Sequence, residues 1–173
     1  MGRSFIQSLP KAELHLHLEG SIEPGTLAEL SRRHNTPLLT ENNRYDVRGS
    51  GDVLSEDDVR RLYSYKDFNG FMLAFKSVTE RLRTPEDYEL ITYRLMQKLR
   101  QQNVMHGEVY VSVGVIRWRG QEFEPIFEGM EAGRERGQRA RSSRSRRGLA
   151  ALPHRDAARP TSPGGRGSCL CRV

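Results

Sequence analysis

From residue 12 the chain reads AELHLHLE, with leucines at every second position and charged or imidazole side chains between them. Strict alternation marks a half-buried strand. A strand is therefore predicted over about 12–18, with Glu13, His15, His17 and Glu19 along one edge and Leu14, Leu16 and Leu18 packed on the other. The apolar period then lengthens to that of a helix. Glu23-Pro24 sets proline at a first helical position, and the helix it opens carries Leu27 and Leu30 inward and ends by Asn35. Residues 36–54 read as a polar loop with Gly and Asn. Ser55 followed by Glu56, Asp57 and Asp58 has the composition of a helix start, with acids against the positive end of the dipole. Asp67 caps a further helix whose Phe68, Phe71, Phe75, Val78 and Leu82 recur at i, i+3, i+4 spacing, and Thr84-Pro85-Glu86-Asp87 begins another with Tyr88, Ile91, Leu95 and Leu99 on its inner face. VMHGEVYVSVGVI, residues 104–116, is β-branched and predicts a second strand; EFEPIFEGMEAGRERG, residues 122–137, predicts a helix.

The order strand, helices, strand, helix predicts an α/β architecture with parallel strands joined by helical crossovers. A chain of 173 residues, 36% hydrophobic and 29% charged, suffices for one domain. No apolar run reaches 18 residues, which excludes a transmembrane helix. The opening MGRSFIQSLPKAEL has no apolar stretch of the secretory type and carries Ile6 where myristoylation wants Ser or Thr, so a cytoplasmic protein is expected.

The net charge of +6 changes the picture only at one end. Residues 138–173 hold nine arginines against the single acid Asp156, so everything before them is net acidic. Both cysteines, Cys169 and Cys171, lie in the same stretch, and none precedes it, as in a reducing compartment. This segment has no aromatic residue and no sustained period, and is expected to be disordered. Two accounts compete for it. One is a basic arm for nucleic acid; the other is out-of-frame translation of a GC-rich gene, which the absence of lysine favours. The domain division expected is thus 1–137 as the ordered part and 138–173 as a frameshifted tail. Reading the gene in its other frames from about codon 138 should restore apolar periodicity; unpatterned sequence in both would overturn this account.

The strand at the N-terminus carries candidate chemistry. Residues two apart in a strand point the same way, about 6.6 Å along the axis, so His15 and His17 share a face. Two imidazoles there can converge on one cation, with Glu13 and Glu19 supplying charge or hydrogen bonds around it. The same pattern also fits the wet side of an amphipathic strand. His34 ends the first helix, His154 lies in the tail, and His106 opens the second strand. Parallel pairing puts His106 at the opposite rim from His15 and His17, where it cannot join them.

PKAELHLHLEGSIEP resembles the N-terminal signature of the adenosine deaminase family, zinc amidohydrolases on a (β/α)8 barrel. The similarity continues through FNGFMLAF, TPEDYELITYRLMQKL and GEVYVSV, and covers residues 4 to about 137. The resemblance implies an incomplete N-terminal part of such a barrel, with His15 and His17 as zinc ligands at the C-terminal end of the first strand. It implies that His17 and Glu19 touch the substrate, Glu19 standing where family members often have Asp, and that Phe71 and Phe75 belong to an apolar lid over the pocket. Ordinary core residues at helical spacing are the competing reading of those phenylalanines.

The implied reaction is hydrolytic deamination of adenosine or a related 6-aminopurine nucleoside, in which zinc lowers the pKa of a bound water from 15.7 to about 7 for attack at C6. The remaining ligands, the general acid and the general base of the family come from later strands, so no catalytic acid or base is assigned here. The chain by itself is expected to be poorly folded and inactive. A non-catalytic protein binding nucleic acid through the basic tail is the alternative, against which stands the lack of aromatic residues among its arginines. No membrane partner is expected.

Overall fold

The computed structural model describes residues 5–36, 54–145 and 169–172. Most of the loop expected over 36–54, most of the tail beyond 145 and His154 lie outside the described residues. A short helix α1 (Phe5–Ser8) leads into strand β1 (Lys11–His17), which is followed by a 3-10 turn (Glu19–Ser21) and helix α2 (Pro24–Arg33). Helices α3 (Glu56–Leu62), α4 (Phe68–Thr79) and α5 (Pro85–Gln101) precede strand β2 (Val104–Val111), and α6 (Val113–Trp118), α7 (Phe123–Ser145) and strand β3 (Cys169–Arg172) complete the order. β1 and β2 pair in parallel, joined by a helical crossover, and β3 adds to the far edge of β2 antiparallel, from Glu108↔Arg172 to Val111↔Cys169. No helix among the described residues is long and apolar enough to cross a membrane.

The local signals in the sequence build these helices. At the start of α3 the Ser55 hydroxyl accepts from the Asp58 amide at 3.2 Å while the Asp58 carboxylate accepts from the Ser55 amide at 2.9 Å, a reciprocal capping box. Asp67 caps α4 by accepting from the Gly70 amide at 2.8 Å. The inner faces of α2 and α5 are as expected: Leu27, Leu30, Tyr88, Ile91, Leu95 and Leu99 are all buried in one core with Leu18, Val59, Val109 and Ile126.

Asp87 goes beyond its cap. Fully buried, it accepts from the Arg83 and Thr84 amides at 2.9 and 3.0 Å, from Arg33 Nη1 at 2.8 Å, and pairs with His34 Nε2 at 2.6 Å. One carboxylate thereby ties the C-terminal end of α2 to the N-terminal end of α5. Arg81 is also buried, donating from Nη1 to the Ser77 carbonyl at 2.5 Å and from Nη2 to the Thr36 carbonyl at 3.2 Å; burial pulls its pKa down to about 10.

α7 lies against α5 along a stripe of glycines four residues apart. A Cβ on Gly129 would overlap the Pro85 carbonyl oxygen, one on Gly133 that of Glu89, and one on Gly137 would stand 2.5 Å from Met96 Cβ. Only glycine lets the two helix backbones approach this closely.

Several expectations change. β2 stops at Val111, and Val113–Trp118 is helical, so the strand predicted to 116 is too long by its last five residues. α4 buries Gly70, Ala74, Ser77 and Val78, while Phe68 and Phe71 are exposed and Phe75 is half-buried. The helix carries two apolar stripes, and the one with the smaller residues packs. Leu18 is buried and Leu16 packs against the core, but Leu14 is 60% exposed. In the described part of the tail, α7 runs past residue 137 to Ser145, and Cys169–Arg172 form β3. Elongating an existing helix costs far less than nucleating one, and Arg, Ala and Gln are good helix formers. Three arginines of α7 are ion-paired: Arg134 with Glu131 and Arg139 with Glu135 within the helix, and Arg136 with Glu89 of α5.

Candidate active site

The C-terminal ends of β1 and β2 meet at His17 and Tyr110, which are paired in register; the Leu18 amide donates to the Tyr110 carbonyl at 2.9 Å. His15 and His17 both lie exposed on this face, with ring centres 5.2 Å apart and planes inclined by 58°. The Tyr110 ring stacks on His15 at 4.5 Å with an interplanar angle of 28°, and lies 5.7 Å from His17.

The other half of the predicted edge departs from it. The register of β1 slips between Glu13 and Leu16, where three steps along β1 match two along β2. Such a bulge turns the side chains on one side of it to the opposite face. Glu13 consequently pairs with Gly107, on the alternate face of β2 from Tyr110, and leaves the histidine edge.

Glu19 is not in the strand at all. β1 ends at His17, and Glu19 opens the 3-10 turn with 2% exposure. Its Oε1 accepts from the Ser112 amide at 2.8 Å, across 93 residues of chain, and its Oε2 is buried with no hydrogen-bond partner among the described residues. This bond holds the point where β2 turns into α6, which is why the strand ends there. Burial pushes the Tyr88 phenol above its ordinary range, and the nearby Glu19 carboxylate adds to the shift.

Phe71 and Phe75 stack on each other at 6.3 Å, continuing a ladder from Tyr65 and Phe68 along α4, which packs beside the Glu19–Ser21 turn. The remaining described histidines are placed elsewhere. His34 is bound to Asp87, and His106 pairs in register with Ala12, near the other end of β1, with Glu108 Oε1 3.7 Å from its Nε2.

The histidine pair fits two positions of a zinc site. Imidazole nitrogens about 2.0 to 2.1 Å from a tetrahedral zinc set their ring centres roughly 5 Å apart, as observed. Among the described residues no group of three or more His, Cys, Asp or Glu side chains is placed to hold a metal, so His15 and His17 supply part of a ligand set. Sequence reasoning missed Tyr110 and Ser112. Tyr110 was within reach of it, since aligning HLH with EVY as parallel neighbours sets an aromatic residue beside the second histidine.

Two parallel strands joined by a helical crossover, with paired histidines at the C-terminal end of the first, match the N-terminal part of a (β/α)8 barrel. The chain matches the adenosine deaminase family over residues 10–159, and it belongs to that family. It is 35% identical over 133 residues to an adenine deaminase from Bordetella parapertussis, covering 77% of this chain and 38% of that protein. It is 30% identical over 131 residues to an uncharacterized deaminase from Schizosaccharomyces pombe, covering 76% and 35%. Among solved structures it resembles the adenine deaminase from Arthrobacter aurescens, with a TM-score of 0.61 and 22% identity over 76% of this chain and 36% of that one. It also resembles an amidohydrolase from Burkholderia ambifaria with bound zinc, with a TM-score of 0.57 and 21% identity over 78% and 34%. These structural likenesses establish the barrel fold. The chain spans 38% of the length of the Bordetella relative.

Proposed function

We propose that this chain forms the zinc-binding N-terminal part of a hydrolase that removes the 6-amino group of a purine, with His15 and His17 holding the metal. The observation that carries this reading is the pair of imidazoles 5.2 Å apart at the C-terminal end of β1, in a chain of the adenosine deaminase family. Bound zinc supplies a water acidified to about neutral pKa. His17 borders both metal and purine. Glu19 offers its buried Oε2 as the acceptor for a purine N–H, and Phe71 and Phe75 form an apolar wall. The opening motif fits free base and nucleoside alike, and likeness to an adenine deaminase favours the free base.

Zinc titration of the metal-free chain, followed by equilibrium dialysis, tests the assignment. One zinc per chain is expected, with affinity falling at least tenfold in His15→Ala/His17→Ala; equal uptake by both proteins would overturn it. The described residues bring no third ligand and no proton-transfer pair to the histidines. The chain alone is therefore expected to release no ammonia from adenine, adenosine or AMP. Release that disappears in the double variant would show that the chain is complete as a catalyst.

A further inference from the structure

We propose that Tyr110 is a positioning residue for the histidine pair, acting through the face of its ring; this rests on the zinc reading above. Both histidines stand on an open face of β1, and among the described residues no hydrogen bond fixes either ring. A side chain free to rotate about χ1 and χ2 loses conformational entropy when a metal captures it, and that loss subtracts from affinity. Tyr110 reduces the loss in advance. Its ring lies nearly parallel over His15 at 4.5 Å and within 5.7 Å of His17, so it touches both imidazoles while coordinating nothing.

Tyr110 is itself well fixed. It sits in β2 in register with His17, its carbonyl accepts from the Leu18 amide at 2.9 Å, and two residues on, the Ser112 amide is held by Glu19. The backbone on both sides of the tyrosine is thus pinned to the end of β1. The bulge between Glu13 and Leu16 has the complementary effect: it sets Tyr110 beside His17, where an unbroken register continued from Glu13↔Gly107 would set Val111, and it turns Glu13 away from the histidines. Aromatic stacking of this geometry is comparable in size with the rotamer entropy of one side chain.

Two readouts on the full 173-residue chain test this. The first needs no metal: at fixed pH, the ring protons of His15 and His17 are shifted upfield in NMR spectra by the Tyr110 ring current, and Tyr110→Leu removes that shift while Tyr110→Phe keeps it. The second is zinc affinity by competition with a chromophoric chelator. Tyr110→Leu is expected to bind about tenfold more weakly, and Tyr110→Phe within about twofold of the parent. Leucine fills much of the same half-buried volume, and unchanged thermal unfolding shows that the variant is folded. Unaltered ring shifts and unaltered affinity in Tyr110→Leu would overturn the proposal, as would a loss in Tyr110→Phe equal to that in Tyr110→Leu, which would assign the effect to the hydroxyl. If the parent binds zinc no better than His15→Ala/His17→Ala, the zinc reading fails and Tyr110 with it as a metal-site residue, whatever the ring shifts show.

Discussion

Asp87→Ala is expected to lower the free energy of unfolding by about 2 to 4 kcal/mol, from two backbone amides left without their acceptor and the loss of a helix cap. The carboxylate accepts from two backbone amides, Arg83 and Thr84, and pairs with Arg33 and His34. Alanine leaves both amides without acceptors at the first turn of α5 and strips the counter-charge from Arg33. The helix loses its cap, worth about 1 kcal/mol, and the α2–α5 junction loses its shared anchor. Asp87→Asn keeps an acceptor oxygen but loses the charge, and should fall between parent and alanine. Urea unfolding followed by circular dichroism measures the order. A loss below about 1 kcal/mol in the alanine variant would show that the junction holds without the carboxylate.

The second large effect concerns the seam between α5 and α7, where the sign of the change is diagnostic. Glycine-to-alanine replacement inside a helix ordinarily stabilises by up to about 1 kcal/mol. Gly114 in α6, with nothing within 4 Å of a new Cβ, should behave that way. Gly133→Ala should do the reverse, destabilising by about 2 kcal/mol, because the methyl group meets the Glu89 carbonyl and the Thr92 side chain and forces the helices apart. Gly133→Leu should cost more. Paired measurement of Gly114→Ala and Gly133→Ala under identical conditions removes the helix-propensity contribution. Equal stabilisation of both would mean that α5 and α7 are not in close contact.

What was legible in the sequence was local. Ser55 with Asp58, Asp67, and Glu23-Pro24 marked helix starts, because a cap is set by residues within one turn of each other. The inner faces of α2 and α5 followed from a single apolar stripe on each. On α4 the place of Phe71 and Phe75 stayed open because the helix carries two stripes, and only its neighbours decide that Gly70, Ala74 and Ser77 face inward beside Val78. The end of β2 was hidden for a different reason. The β-branched run through Ile116 favours a strand, and what stops it is an acceptor on Glu19, 93 residues earlier. The site shows the same division. His15 and His17 were legible from alternation and resemblance, whereas the bulge that removes Glu13 from their side and brings Tyr110 under them depends on interstrand pairing.

β3 occupies the amide and carbonyl groups of β2 from Glu108 to Val111. A further parallel neighbour on that side would need the same groups, so the two arrangements are mutually exclusive. A strand that continued a parallel barrel at this edge would stand in the place of Cys169–Arg172.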